Sequence, residues 1–589
     1  MPGLWFECTL KCHDILNVKA LWLNYIELFA GCGGLSLGLE ASGHNLVIAN
    51  ELSPMAAETF AYNFFNESLD VQNPEHTLWV NSNFPKNEIS KRLRENPKTY
   101  PPIMESGFSD LDQNTQLNKK LLVGSIVELN KLLQQQPELL KQIQDEHLDG
   151  GLDLVSGGPP CQSFSLAGLR QLGNERNTLP WEFAKFVELT HPKFVLLENV
   201  SGILRAFNTD VGQFYAWYEV AKAFSKINYI PLCLHVNAKY AGVAQNRPRF
   251  ILLGIRADVY AEIIHKLNKK EQEILKHSHQ FFEKVQLDTD LEYGYLKYFD
   301  VDKDTAFFHG TFLEPLIAYK GKEFSVADAI QDLSIENYQE KSEYVKKLDA
   351  LFNPLLTKHK SLNNYDLRAN GIHVKKRFKL YQNLNLVSSN TKKEVQQILK
   401  GLTSLLSDNA FDELKNLSFL NEDGQATNFV SKSELVAYLQ LHQTKKQTQK
   451  ALVANQPAPA ALSIPDDACH YCDLRTLTVR EMARVQSFPD NFKFLSKVTT
   501  GGQMRKFEVP QYTQVGNAVP PLLGRALGEV IKELMEKQAL RVRVAQKNLD
   551  KAREKLNKSM QERKIHEKLR EKAFDEFKEE LKAEEKKEI

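Results

Sequence analysis

The stretch Leu152-Asp153-Leu154-Val155-Ser156-Gly157-Gly158-Pro159-Pro160-Cys161-Gln162-Ser163-Phe164-Ser165 decides how the chain is read. Its first half is short and apolar, as a buried strand bounded by glycine and proline should be. The paired glycines and prolines force a tight turn and set its course. Cys161 then falls just beyond the strand, at the end where open α/β sheets place their chemistry. A cysteine held on such a loop can serve as a nucleophile if its surroundings favour the thiolate. A buried structural thiol is the plainer alternative, and the surrounding pattern decides between them.

Working outward, Tyr25-Ile26-Glu27-Leu28-Phe29-Ala30-Gly31-Cys32-Gly33-Gly34 reads as a strand breaking into a glycine-rich turn. A helix follows, with Leu35, Leu37 and Leu39 near its start and Gly43 past its end. A second strand, Leu46-Val47-Ile48-Ala49-Asn50, ends at Glu51. An acidic residue about 20 positions after a glycine turn is where nucleotide-binding α/β units hold ribose hydroxyls. This pattern leaves a dinucleotide and S-adenosylmethionine equally open, and an ordinary βα turn with a surface glutamate would look the same. Leu121 to Ile126 restores a strand and turn after a polar excursion from Asn66 to about Lys120. Phe194-Val195-Leu196-Leu197-Glu198-Asn199-Val200 is a further strand with a carboxylate near its end. Gln245-Asn246-Arg247-Pro248-Arg249 leads into another, Phe250 to Leu253. Strands alternating with helices and ending in polar loops predict a doubly wound α/β domain to about residue 257.

Two more blocks follow a long gap. Arg480-Glu481-Met482-Ala483-Arg484-Val485-Gln486-Ser487-Phe488-Pro489-Asp490 reads as a helix that Thr478 and Glu481 start with a capping box. Gln514-Val515-Gly516-Asn517-Ala518-Val519-Pro520-Pro521 is the last.

In this order the six blocks, spanning roughly residues 25–255 and 475–535, resemble the motifs of the DNA cytosine-5 methyltransferases. The resemblance implies a Rossmann-like S-adenosylmethionine-dependent sheet (25–257, completed by 505–535), a smaller target-recognition domain (258–500) and a helical charged tail (537–589). It implies Cys161 as the nucleophile that adds to C6 of cytosine, and Glu198 as the acid at N3. Arg247 is expected on the O2 side, with Arg249 beside it as an ion-pair or phosphate contact. The cofactor would meet Phe29 at its adenine and Glu51 at its ribose. Gly31, Gly33, Leu35 and Ile126 would line the same site. Pro160, Leu179 and Val519 would give apolar or backbone contacts, and Asn517 would stand near the methionine end. Where the family commonly has aspartate, this chain has Ser125, which can still accept a hydrogen bond. Gln162, Ser165, Asn199 and Gln245 are the remaining substrate-side candidates, and residues 165–174 suit a lid over a base turned out of the duplex.

Composition agrees with this class. The chain has 589 residues, 42% hydrophobic and 25% charged, with a net charge of +1, so a polyanion must be met by a local patch. Seven thinly spread cysteines fit a reducing compartment better than a disulfide framework. No apolar run nears the roughly 20 residues of a membrane span, and residues 1–23 do not read as a signal peptide. A cytoplasmic monomer is expected. Within 258–463, Leu367 to Gly371 and His373 to Tyr381 are the candidate DNA-contacting stretches, the second equally readable as a solvated helix face. Thr444 to Gln449 and Gln456 to Pro459 read as a linker. Cys469-His470-Tyr471-Cys472 lacks a second ligand pair, so no metal is expected. The expected function is methylation of C5 in a specific cytosine of double-stranded DNA, in a restriction-modification system with a cognate endonuclease. An RNA cytosine-5 methyltransferase and a catalytically inactive DNA-binding regulator are the alternatives.

Overall fold

The computed structural model describes residues 23–69, 74–81, 109–112, 114–145, 152–160, 178–209, 212–356, 362–444, 449–460 and 464–538. Cys161, Gln162, Ser165, the rest of the 161–177 segment and the charged tail lie outside them.

Nine strands form one sheet: β1 (Leu23–Leu28), β2 (His44–Glu51), β3 (Thr77–Trp79), β4 (Lys120–Val123), β5 (Leu154–Gly157), β6 (Phe194–Val200), β9 (Tyr229–Asn237), β10 (Pro248–Arg256) and β11 (Phe299–Asp300). A separate small hairpin pairs β7 (Phe207–Thr209) with β8 (Gly212–Phe214). The order across the sheet is β11-β9-β10-β6-β5-β1-β2-β4-β3. Every pairing is parallel except the two made by β10, which runs antiparallel between β6 and β9. Strand order reverses between β1 and β5, so the ligand crevice of such a sheet opens at their carboxyl ends. Because β10 is inverted, it starts at the end where its neighbours finish. That single inversion delivers Arg247 and Arg249 to the same edge as Glu198.

The strands are apolar on both sides because both faces are covered. One face carries Tyr25, Leu196, Ile251 and Leu234, packed under α1 (Gly34–Ala41), α2 (Pro54–Phe65) and the segments after Leu477. The other carries Ile26, Val155, Leu197 and Phe250. It is covered by α3 (Ile126–Gln135), α4 (Pro137–Asp145), α5 (Leu179–Thr190), α6 (Ala216–Lys226) and α7 (Lys269–Leu287).

Packing does not break at residue 258. Val259, Phe308, Val326 and Phe352 belong to the core under the sheet's first face, and β11 extends the sheet itself. A separate core forms only later, from α8 (Ile372–Asn383), α9 (Ser389–Leu399), α10 (Asp408–Leu414) and α11 (Lys432–Leu441), around Phe378, Val395, Leu414 and Leu435. The chain then returns through α12 (Val479–Val485), α13 (Gln511–Asn517) and α14 (521–538). The polar excursion after Asn66 also contributes structure, since Thr77–Trp79 becomes the edge strand β3 against β4.

Candidate active site

Three adjacent strand ends, β1, β2 and β4, shape the first half of the site. After Leu28 the chain turns through Phe29 (φ 56°), Gly31 (φ 56°) and Gly33 (φ 96°) into α1. Gly31 has no atom within 4 Å of where a side chain would begin, so the turn faces open space. Glu51 ends β2 and grips the turn: its Oε2 accepts the Gly31 N–H at 2.8 Å and its Oε1 the Ser53 N–H at 2.7 Å. Ser125, at the end of β4, caps α3 by accepting the Val127 N–H at 3.2 Å. Ile126 and Leu35 are buried. An open glycine turn beside a carboxylate is the donor and acceptor set a nucleoside needs, so these residues fit the cofactor.

The second half lies across β5, β6 and β10. Glu198 and Arg249 form a buried ion pair, with Nε 2.7 Å from Oε1 and each side chain 11% exposed. Antiparallel register sets Arg249 opposite Val200, and two-residue alternation puts it on the face that carries Glu198. Gly158, after β5, lies directly over the carboxyl group: a side chain there would begin 3.0 Å from Glu198 Oε2. Asn199, on the other face, donates to the Pro159 carbonyl at 3.0 Å. Glu198 and Asn199 therefore hold the two sides of the Gly158-Pro159-Pro160 turn that leads into Cys161.

Arg247 stands elsewhere. Its Nη2 donates to the Gly516 and Ala518 carbonyls, both at 3.0 Å, on either side of the exposed Asn517. Its backbone N–H donates to Asn237 Oδ1 at 3.0 Å. Burial and the Arg249 charge push its pKa below the ordinary arginine value. Gln245 is fully buried, and its amide finds no hydrogen-bond partner among the described residues. Leu179 begins α5, Pro160 is exposed and Val519 is buried.

A family model for C-5 cytosine-specific DNA methylases matches residues 23–90 and 128–533. The chain belongs to that family. Over 515 residues the methylase is 27% identical to the type II methyltransferase M.DdeI of Desulfomicrobium norvegicum, covering 87% of this chain and 89% of that protein. It is 25% identical over 521 residues to M1.HphI of Haemophilus parahaemolyticus, covering 88% of each. The crystal structure of a protein described as a prophage-encoded E. coli DNA modification methyltransferase aligns at 20% identity and a TM-score of 0.41, over 87% of this chain and 99% of that one. The methylase is a transferase that uses S-adenosylmethionine as methyl donor.

In the separate helical module of the methylase, the stretch His373 to Tyr381 is α8. Its aromatic side faces inward: Phe378, Leu380 and Tyr381 are core, and Lys376 is buried against Glu422 and the Tyr438 ring. Only His373 and Lys375 of that stretch are exposed. Leu367, Arg368 and Ala369 are exposed as well, on a loop whose base is clamped. Asn364, in the left-handed region at φ 60°, donates to the Phe494 carbonyl at 2.8 Å and accepts the Phe494 N–H at 2.9 Å. This clamp carries no motif, and only the asparagine's tolerance of positive φ hints at it. The expected linker is not free. Gln456 and Ala454 carbonyls accept from Val326 and Ala327, and Ala458 bridges to Gln245. His470, Cys472 and Asp473 lie close enough to share an ion. Asp473 is already committed to the Ser334 hydroxyl, the backbone N–H groups of Ile335 and Glu336, and Arg475. Cys472 Sγ lies against the Ser334 hydroxyl, and His470 Nδ1 accepts the Asp473 N–H at 3.1 Å, whereas His470 Nε2 has no hydrogen-bond partner among the described residues.

Proposed function

We propose that the methylase adds a methyl group to C5 of one cytosine in a specific duplex sequence, with Cys161 as nucleophile and Glu198 with Arg249 as the pair facing the pyrimidine ring. The observation that carries this reading is the Glu198–Arg249 pair beneath the Gly158-Pro159-Pro160 turn, one residue from Cys161. Cytosine C5 is a weak nucleophile within an aromatic ring. Addition of a thiolate to C6 shifts the C5–C6 π electrons and leaves negative charge on N3 and O2. A carboxyl at N3 and a guanidinium at O2 relieve that charge in a water-poor site. Arg249, not Arg247, takes the O2 role here, because Arg247 is spent on the Gly516 and Ala518 carbonyls. Arg247 instead locks the Asn517 segment against the base-binding half.

S-adenosylmethionine, held by the Phe29–Gly33 turn and Glu51, with Ser125, Ile126, Leu179, Asn517 and Val519 around it, supplies an electrophilic methyl group. Loss of the C5 proton and elimination of the thiol complete the exchange. The target base is inside a duplex, so it must be turned out of the stack, and residues 165–174 are the lid we assign to that step. Among the described residues, rival thiols are poor candidates. Burial pushes Cys32, Cys233 and Cys469 up, and Cys472 is raised by burial as well. The helical module at 372–470 and the loop at 362–371 are the proposed target-reading elements.

The type II relatives support a place in a restriction-modification system beside a cognate endonuclease. Among the described residues no helix is long and apolar enough to cross a membrane, and we assign a cytoplasmic location and a monomer. The test is single-turnover methylation of duplex DNA carrying 5-fluorocytosine. Wild-type protein should form a denaturation-resistant adduct at Cys161, and Cys161→Ser should abolish both adduct and transfer. Arg249→Met should slow transfer at least about 100-fold. Native-rate transfer by Cys161→Ser would refute the reading.

A further inference from the structure

A second cluster of reactive groups lies at the same end of the sheet, on the opposite face from Glu198 and Arg249. His235 of β9 and Asn199 of β6 flank Phe250 in register, so their side chains share that face, and Ser201 follows β6 on a short 3-10 turn. His235 Nδ1 donates to Asp300 Oδ2 at 2.9 Å, and His235 Nε2 lies 3.1 Å from the Ser201 hydroxyl. Asp300 is aimed by its other oxygen, Oδ1, which accepts the Asp302 N–H at 2.9 Å and the Lys303 N–H at 3.3 Å. A carboxylate can only accept, so Nδ1 carries a proton, and in the neutral ring Nε2 presents its lone pair to the serine. Ser201 and His235 are half-buried, whereas the aspartate is buried.

We propose that Ser201, His235 and Asp300 form a nucleophilic acyl-transfer site, separate from the methyl-transfer site and independent of it. The arrangement meets the geometric test for a serine activated by an oriented imidazole: nucleophile to base, then base to orienting carboxylate, each within hydrogen-bond reach. The surroundings select the substrate class. Asp302 and Asp304 stand beside the aspartate, Asp304 Oδ2 accepting the Asp300 N–H at 2.8 Å. Lys320, 3.6 Å from Asp302 Oδ1, offsets one of the three charges, so an anionic ligand such as a phosphate is still disfavoured. Tyr298 stands edge-on to His235 with ring centres 6.4 Å apart, and Trp217 stands edge-on to Tyr298 at 5.5 Å. Trp217 is core and only backs Tyr298, so the half-buried Tyr298 ring is the one aromatic surface beside the Ser201–His235 pair, and it fits an uncharged aryl ester.

In the reaction, Ser201 Oγ bonds to the ester carbonyl carbon while its proton passes to His235 Nε2. The bond to the leaving oxygen then breaks and that proton goes to the leaving phenol. Water repeats the sequence on the acyl-serine, releasing the acid and restoring the hydroxyl.

The experiment uses the full chain with a fluorophosphonate probe and with 4-nitrophenyl acetate. The expected result is stoichiometric phosphonylation mapped by mass spectrometry to Ser201, with ester hydrolysis above the spontaneous rate. Ser201→Ala should remove the label, and His235→Ala should slow labelling by about 10²–10⁴-fold while Ser201 remains in place. Protein that methylates DNA yet takes up probe no faster than Ser201→Ala, or takes it at another residue, overturns the proposal. That outcome leaves the Cys161 reading untouched, just as a failed 5-fluorocytosine adduct would leave this one.

Discussion

Two seams hold the C-terminal return of the chain, and they are built on opposite principles. Where α14 crosses α1, the contact is steric. Where α12 is gripped by the segments before and after it, the contact is ionic. In the first, side chains beginning at Gly34 and Gly38 would each come within 2.3 Å of a backbone oxygen, of Val519 and Pro521 respectively. On the facing helix, one at Gly528 would strike the Ser42 hydroxyl, and one at Gly524 would begin 3.1 Å from the Leu35 carbonyl. In the second, Arg484 is fully buried between Asp332 and Asp490, with its Nε 2.7 Å from Asp490 Oδ1. Arg475 likewise bridges Asp473 and Glu481, both at 2.7 Å. Close backbone contact sets distance with little tolerance, and so it suits the seam that places Val519 over the cofactor turn. Buried ion pairs set register and orientation at a desolvation cost, which suits the approach to the separate helical module proposed above to read the target.

The comparison breaks most visibly at Arg484. Arg484→Met removes the cation and leaves two buried carboxylates facing each other, with Lys341 still paired to Asp490 and Arg480 acting on it through space. The expected loss is about 3–5 kcal/mol, measured by urea denaturation. A change under 1 kcal/mol would mean that water reaches these carboxylates and that the ionic seam is not dry. Gly38→Ala tests the steric seam. In an unconstrained helix this substitution gains about 1 kcal/mol. Here the added methyl must displace the Pro521 carbonyl and the Arg525 backbone, so a net loss of about 1–3 kcal/mol is expected. The sign decides the matter, since a stabilised variant would mean that the helices separate freely. S-adenosylmethionine affinity, read by calorimetry, should fall in Gly38→Ala and hold in Arg484→Met.

Much of this was legible from residue order, and the limits have physical causes. The turn at Phe29 to Gly33, the strand ending at Glu51 and the capping box at Thr478 and Glu481 are local signals, and each stands where expected. The i, i+4 glycines at 34/38 and 524/528 are visible in the sequence too, but not that they meet, because that pairing crosses nearly 500 residues. The different partners of Arg247 and Arg249, on which the proposed O2 role of Arg249 rests, were hidden for a similar reason. Which arginine sits beside Glu198 depends on the antiparallel register of β10, and alternation alone gives both arginines the same face. The boundary after residue 257 was obscured because Val259 to Phe352 are as apolar as a domain of their own, yet bury that surface against the existing core. The stretch from His373 to Tyr381 illustrates ambiguity at the level of composition. Cations alternating with aromatics describe a nucleic-acid face and an amphipathic helix equally well, and Lys376 shows how a buried lysine can belong to the second.

The subtlest consequence of the two seams is that acid and base should loosen different parts of the molecule. In the sheet, Glu27 is buried beneath α1 against the Ser36 hydroxyl, and burial, with Glu51 and Glu40 nearby, raises its pKa to about 8. An unfolded glutamate titrates near 4.5. Between those values the folded protein keeps a proton that the unfolded chain releases, so stability falls as pH rises through that window and levels off above about 8. Asp490 behaves in the opposite way. Burial would raise it, but Arg484, then Lys341 and Arg480, hold it down at about 2 against an ordinary 3.8. Its contribution is complete above about pH 4 and is lost as pH falls through about 2. Melting temperature followed from pH 3 to pH 9 should therefore decline at both ends. Glu27→Gln, which keeps the shape and removes the charge, should flatten the decline between pH 5 and 8 and leave the acid limb unchanged. An unaltered slope above pH 5 in that variant would place the titrating group elsewhere. A flattened acid limb would mean that the two seams are not independent, and that the proton under the cofactor turn is felt at the ion pairs around α12.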